Sequence, residues 1–264
     1  MLNAKSPRAP RCREKQSNHF SRFFLGVLAF IISSAHAQTQ PASKPVRIDG
    51  KEVTIDVTQA PELEDWAREK LLPVCEEWYP KIVAMLPSDA YHAPEHVEIE
   101  FHSTIKHGTP AYAVGGKIVC NAAWFKKNLA GEARGAVVHE MVHVVQSYGD
   151  PKARDPNANE NPGWLVEGLA DYIRWYLYEP QSHGTDIRDP SKAKYDAGYR
   201  VTANFLNWVT EKHDKDIIKK MNAAMRDGKY REELWKECTG KSAPELGDEW
   251  KASLKAAPSP SGRR

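Results

Sequence analysis

The sequence predicts an α+β fold: a mixed β-sheet first, then a helix carrying His139-Glu140-Met141-Val142-His143, then a mainly helical C-terminal part. Three observations carry this prediction. Short stretches that alternate apolar and polar residues crowd the region before Gly131. Gly131 to Tyr148 keeps apolar flanks (Ala136, Val137, Met141, Val144, Val145) around its histidines, as a largely buried helix does. Beyond Asp186 the chain becomes a series of helical segments punctuated by Gly and Pro.

Taken in order, residues 1–37 carry Lys5, Arg8, Arg11, Arg13, Lys15 and Arg22, then the apolar run Phe23 to Ile32, then Ala35-His36-Ala37. This is the pattern of a secretory signal peptide cut after Ala37, and the expected location is secreted or periplasmic. The run is too short to span a bilayer, so no stable membrane insertion is expected. Of the 37 basic and 35 acidic residues, six and one fall in this leader, which leaves a net charge of −3. That mild acidity, with no basic stripe interleaved with aromatics, argues against nucleic-acid binding. Cys75, Cys120 and Cys238 follow the leader. One pair could bridge in an oxidising compartment, and the sequence does not choose it.

A linker is expected over residues 38–50 and a single catalytic domain over 51–257, with its sheet-containing part at about 51–150 and its helical part at about 160–257. Glu52 to Thr58 and Val97 to His102 alternate as strands, and Leu63 to Leu86 reads as a helix interrupted near Pro73 and Pro80. Ala111 to Val114 and Lys117 to Asn121, joined at Gly115-Gly116, form a hairpin pattern. Helices are expected at Gly131 to Tyr148, Gly163 to Tyr178, Ala197 to Glu211, Lys215 to Asp227, Arg231 to Cys238 and Ala243 to Ala256, with a disordered tail at residues 258–264.

The chemistry concentrates on two helices. Histidines at i and i+4 lie about 40° apart around a helix, so His139 and His143 leave one face and can hold one metal ion. Glu140 then sits beside the metal as a candidate general base. A catalytic zinc takes three protein ligands and keeps a fourth position for water. Glu167, in the segment Trp164-Leu165-Val166-Glu167-Gly168-Leu169-Ala170-Asp171, is the best candidate for the third; Asp150 and Asp171 are less well placed. A carboxylate in so apolar a segment is costly unless a metal or a donor neutralises it. Asp171, one turn on, is placed to accept the second ring N–H of a zinc-bound histidine, with His139 the expected one. The metzincin pattern fails, because Gln146 and Gly149 stand where it requires Gly and His.

HEMVHVVQSYG, NPGWLVEGLADYIRW and YDAGYRVTANFLNWV resemble the plant and bacterial peptidase family that includes the plant basic secretory proteins, and more broadly the thermolysin-like gluzincins. The resemblance covers roughly Val53 to Leu254. It implies a zincin-like fold with a mixed-sheet upper subdomain, one Zn2+ per chain on His139, His143 and Glu167, Glu140 as general base and Asp171 as the partner behind a ligand. Val166 stands where thermolysin-like enzymes carry an Asn that supports the second histidine, so the partner of His143 is left open. In such enzymes the sheet edge pairs with an extended substrate, which assigns Tyr112, Ala113 and Val114 to substrate binding; an ordinary hairpin is the competing reading. A second oxyanion donor is expected from the helical part, with Tyr199 the candidate and Tyr195 and His183 behind it. The expected function is therefore zinc-dependent hydrolysis of peptide or protein substrates. The alternative is a zinc-holding, cell-wall-associated or binding protein of the same fold, and the intact Glu140 argues against it.

Overall fold

The computed structural model describes residues 44–256 apart from 90, 106, 107 and 183. The expected leader and C-terminal tail lie outside the described residues, as does His183. Five strands form one mixed sheet in the order β1-β2-β3-β5-β4: β1 (Arg47–Asp49), β2 (Val53–Asp56), β3 (Val97–His102), β4 (Ala111–Val114) and β5 (Lys117–Asn121). Strands β2, β3 and β5 run parallel, while β1 and β4 close the two edges antiparallel. Ile55, Ile99 and Ile118 stand in register across the centre. In β3, Val97, Ile99 and Phe101 are buried and Glu98, Glu100 and His102 face outward, as the period of two demands. The outward face is laced by Arg47–Glu98 at 3.2 Å and Lys117–Glu100 at 2.8 Å.

The other face is covered by helices. A rod of α1 (Glu64–Trp66), a π-turn (Ala67–Leu71) and α2 (Leu72–Met85) packs on β2. Then come α3 (Ala122–Asn128), α4 (Ala133–Gln146), α5 (Pro151–Arg154) and α6 (Gly163–Tyr172), the last continuing as a π-helix, Ile173–Tyr178. The C-terminal helices are α7 (Tyr199–Lys212), α8 (Ile217–Arg226), α9 (Glu233–Thr239) and α10 (Ala243–Ala256). One apolar core runs through both parts, from Ile55 and Phe101 to Phe205 and Trp250. Helices α6 and α7 approach closely because residue 168 is glycine; a Cβ there would fall 2.1 Å from Thr202 Cγ2.

Beyond the unexpected short helices α3 and α5 and the π-helical end of α6, the structure departs from the sequence-based expectations in four places. Arg47–Asp49, inside the expected linker, is paired with β2, because burial of Ile48 alone anchors so short a strand. The helix before β3 is continuous through Pro80, and the π-turn sits just ahead of Pro73, where the wider spacing accommodates a residue with no N–H to donate. Helix α4 stops at Gln146 rather than Tyr148: Ser147 turns left-handed at φ 41° and donates its N–H to His143 O. The buried Arg226 guanidinium caps the freed carbonyls of Val145 and Gln146 at 2.8 and 3.0 Å. Finally, Cys75, Cys120 and Cys238 are all free. No helix among the described residues is long and apolar enough to cross a membrane.

Candidate metal centre

Helix α4 runs along the floor of a cleft of about 930 Å³, with the hairpin edge β4 on one side and α6 and the start of α7 on the other. His139 is buried, and both its imidazole and that of His143 point at Glu167 on α6. The three donor atoms form a small triangle: His139 Nε2 to His143 Nε2 is 3.0 Å, His139 Nε2 to Glu167 Oε2 is 3.2 Å and His143 Nε2 to Glu167 Oε2 is 3.4 Å. Among the described residues this is the group of His, Cys and acidic side chains that could hold a metal ion.

The partners behind the histidines fix their tautomers. His139 Nδ1 lies 2.7 Å from Asp171 Oδ1, a carboxylate that only accepts, so Nδ1 carries the proton. His143 Nδ1 lies 2.7 Å from Gln146 Oε1, and the amide faces that way because its Nε2 donates to the Val166 carbonyl at 3.0 Å. While the two imidazoles are neutral, both Nε2 atoms therefore present lone pairs to each other and to a carboxylate. A proton on His139 Nε2 would satisfy one of the three contacts and leave the others acceptor against acceptor. A cation satisfies all three. Ligands held about 2.0–2.1 Å from a tetrahedral zinc lie about 3.3 Å apart, which matches the triangle, and two imidazoles with one carboxylate are a catalytic zinc donor set. The residues fit the metal that the sequence implied.

The electrostatics agree. Burial opposes a charge on His139, yet hydrogen bonds to Asp171 and Glu167 hold its pKa up at about 9. Burial pushes the Glu167 carboxyl up, but hydrogen bonds from the two imidazoles bring it down to about 2. The pocket thus stabilises positive charge at the centre of the triangle. Glu140 is largely shielded; burial raises its pKa, the two histidines moderate the rise, and the Ala113 N–H donates to its carboxylate.

That last contact brings the hairpin to the site. Pro110 O accepts from Asn121 N at 2.9 Å, and hydrogen-bonded pairs alternate along an antiparallel ladder. The backbone groups of Tyr112 and Val114 therefore face β5, while those of Ala111 and Ala113 turn off the ladder. Tyr112 and Ala113 line the cleft; Val114 is exposed at the hairpin end and does not.

Tyr199, 56% exposed, lies over His139 with ring centroids 6.2 Å apart and planes 13° from parallel, and its hydroxyl hydrogen-bonds Glu167. Two successive left-handed residues, Gly198 at φ 81° and Tyr199 at φ 46°, put it there. A non-glycine residue in that region costs about 1–2 kcal/mol, the sort of strain that collects at functional sites. Tyr195 instead packs edge-on against Trp164, at 5.4 Å and 88°, away from the cleft lining.

Two features escaped the sequence reading. Gln146 is the partner of His143, and its position three residues on, on the same helix face, was the available signal. At the N-terminal end of α4, Glu132 joins Arg174 at 3.1 Å and Arg200 at 2.7 Å, and both guanidiniums stack on Trp175 at 4.0 and 4.2 Å. Such a cluster of residues distant in sequence leaves no local pattern.

A family model described as BSP, peptidase of plants and bacteria, matches residues 103–250, more than half of the chain and every residue of the triangle. No curated protein matches the chain.

Proposed function

Because the chain belongs to the family of peptidases of plants and bacteria, we propose that it is a secreted zinc metallopeptidase that cuts peptide or protein substrates with Glu140 as general base. The convergence of His139 Nε2, His143 Nε2 and Glu167 Oε2 within 3.4 Å of one another carries this reading. His139, His143 and Glu167 would hold a zinc ion, which would supply Lewis acidity to a bound water, with a pKa towards about 7, and to the substrate carbonyl.

The protein's own residues do the rest. Glu140, its carboxyl raised by burial, takes a proton from the attacking water and returns it to the leaving amine. The outward backbone groups of β4 pair with an extended substrate, and the Ala113 N–H that contacts Glu140 ties that strand to the base. The Tyr199 hydroxyl, at the cleft wall, donates to the oxygen on which charge develops. Asp171 keeps His139 in the tautomer that presents Nε2.

The test is digestion of an unstructured protein by the chain from Gln38 to Arg264, with Glu140→Gln as control and zinc assayed in both. The expected result is hydrolysis by the first alone with zinc bound to both. Equal cleavage by the two proteins would remove Glu140 from its role, and zinc in both without cleavage by either would favour the zinc-holding alternative.

A further inference from the structure

We propose that Gln146 is a positioning residue that sets two of the three metal ligands at once; the proposal rests on the reading of His139, His143 and Glu167 as a zinc site. Gln146 ends α4 and is only 2% exposed. Its Oε1 accepts from His143 Nδ1 at 2.7 Å, and its Nε2 donates to the carbonyl of Val166, the residue before Glu167, at 3.0 Å. The Tyr148 hydroxyl also hydrogen-bonds the Gln146 side chain, while donating to Asn222 Oδ1 at 3.2 Å. The amide is therefore held in one orientation from two sides, and cannot flip without setting its Oε1 against the Val166 carbonyl oxygen.

The consequence is mechanical as well as electronic. One side chain fixes the tautomer of a ligand on α4 and the backbone beside a ligand on α6, so it sets the gap between the two metal-bearing helices. Arg226 anchors this clamp by donating from Nε to the Gln146 carbonyl at 3.0 Å. Hydrogen-bond partners behind metal ligands are each worth about 10- to 100-fold in metal affinity. A partner that also holds a second ligand's backbone belongs at the upper end of that range.

Two variants separate the functions. Gln146→Met keeps the volume and removes both hydrogen bonds. Gln146→Glu keeps an acceptor for His143 Nδ1 but sets a carboxylate oxygen against the Val166 carbonyl. Each metal-free protein would be titrated with zinc against a chromophoric chelator, and its melting temperature recorded with and without zinc. Trp250→Phe, in the core contributed by α10, serves as a control destabilised away from the cleft. Gln146→Met is expected to bind zinc about 10- to 100-fold more weakly and to show a smaller zinc-induced rise in melting temperature. Gln146→Glu should fall between it and the wild type, and Trp250→Phe should keep wild-type affinity. Zinc affinity within threefold of wild type in both Gln146 variants overturns the proposal while leaving the zinc site intact. If Gln146→Met fails to fold, Gln146→Leu, which also lacks both hydrogen bonds and adds no charge, decides in its place. Failure of the wild type to bind zinc would overturn the underlying reading and the proposal together.

Discussion

The two histidine ends of the centre are built differently. His139 is held by charge: Asp171 behind it at 2.7 Å, Glu167 in front at 3.2 Å, and the Tyr199 ring lying parallel over it. His143 is held by neutral groups: a glutamine amide behind it and, through that amide, a backbone carbonyl. A carboxylate raises the basicity of the imidazole it supports and so strengthens one ligand; an amide orients without adding charge. On the proposed zinc site, an i, i+4 histidine pair that is symmetrical in sequence would give one stronger and one weaker ligand, through what stands behind each ring.

The largest expected effect comes from the residue the two ends share. Glu167→Ala removes the third ligand from both, and zinc content measured after dialysis should fall by more than the 10- to 100-fold that a supporting residue is worth. Unchanged metal content would sink its ligand role. Next is Tyr199→Phe, which leaves the ring over His139 but deletes the hydroxyl. Its kcat should drop about 10²- to 10³-fold with zinc affinity retained, and an unchanged kcat would confine Tyr199 to packing.

Asp171→Asn sharpens the comparison itself. With the charge gone from behind His139 and only an amide acceptor left there, zinc affinity should fall about 10- to 100-fold, and the variant should cost more than Gln146→Glu, which places a carboxylate behind His143. The reverse order would show that His143 is the better-held ligand. The smallest effect per step is the pH dependence of metal binding, about tenfold for each pH unit. A proton must leave His139 before Nε2 can take zinc, and in the metal-free protein its pKa is raised from 6.5 to about 9. Apparent zinc affinity should therefore fall about tenfold per pH unit as pH drops below about 9. In stability the sign is opposite. The proton stabilises the metal-free fold fully below pH 6.5, and this contribution disappears as pH rises through about 9. Metal-free melting temperatures that stay flat from pH 6 to 9 would contradict the assignment.

Legibility in the sequence follows the same line. The His139–Glu140–His143 spacing and the Glu167–Asp171 spacing are local repeats of a helical turn, and the structure brings those residues together. The hairpin was readable because Gly115 takes a left-handed φ of 59° that marks the turn, and β3 because its period of two is unbroken. Strand β1 was not, since three residues with one buried side chain carry too little pattern to separate from a linker. The uninterrupted α2 was missed because tertiary packing overrides the local cost of Pro80. Gln146 and the Glu132–Arg174–Arg200 cluster act through contacts between segments, or through a side chain whose role depends on a backbone carbonyl twenty residues away.

The most direct measurement is a crystal structure of the purified, zinc-loaded protein with anomalous data collected across the zinc absorption edge. One strong peak per chain is expected, inside the triangle of His139 Nε2, His143 Nε2 and Glu167 Oε2, at about 2.0–2.1 Å from each. No peak there, or a peak on Cys75, Cys120 or Cys238 instead, would contradict the zinc site.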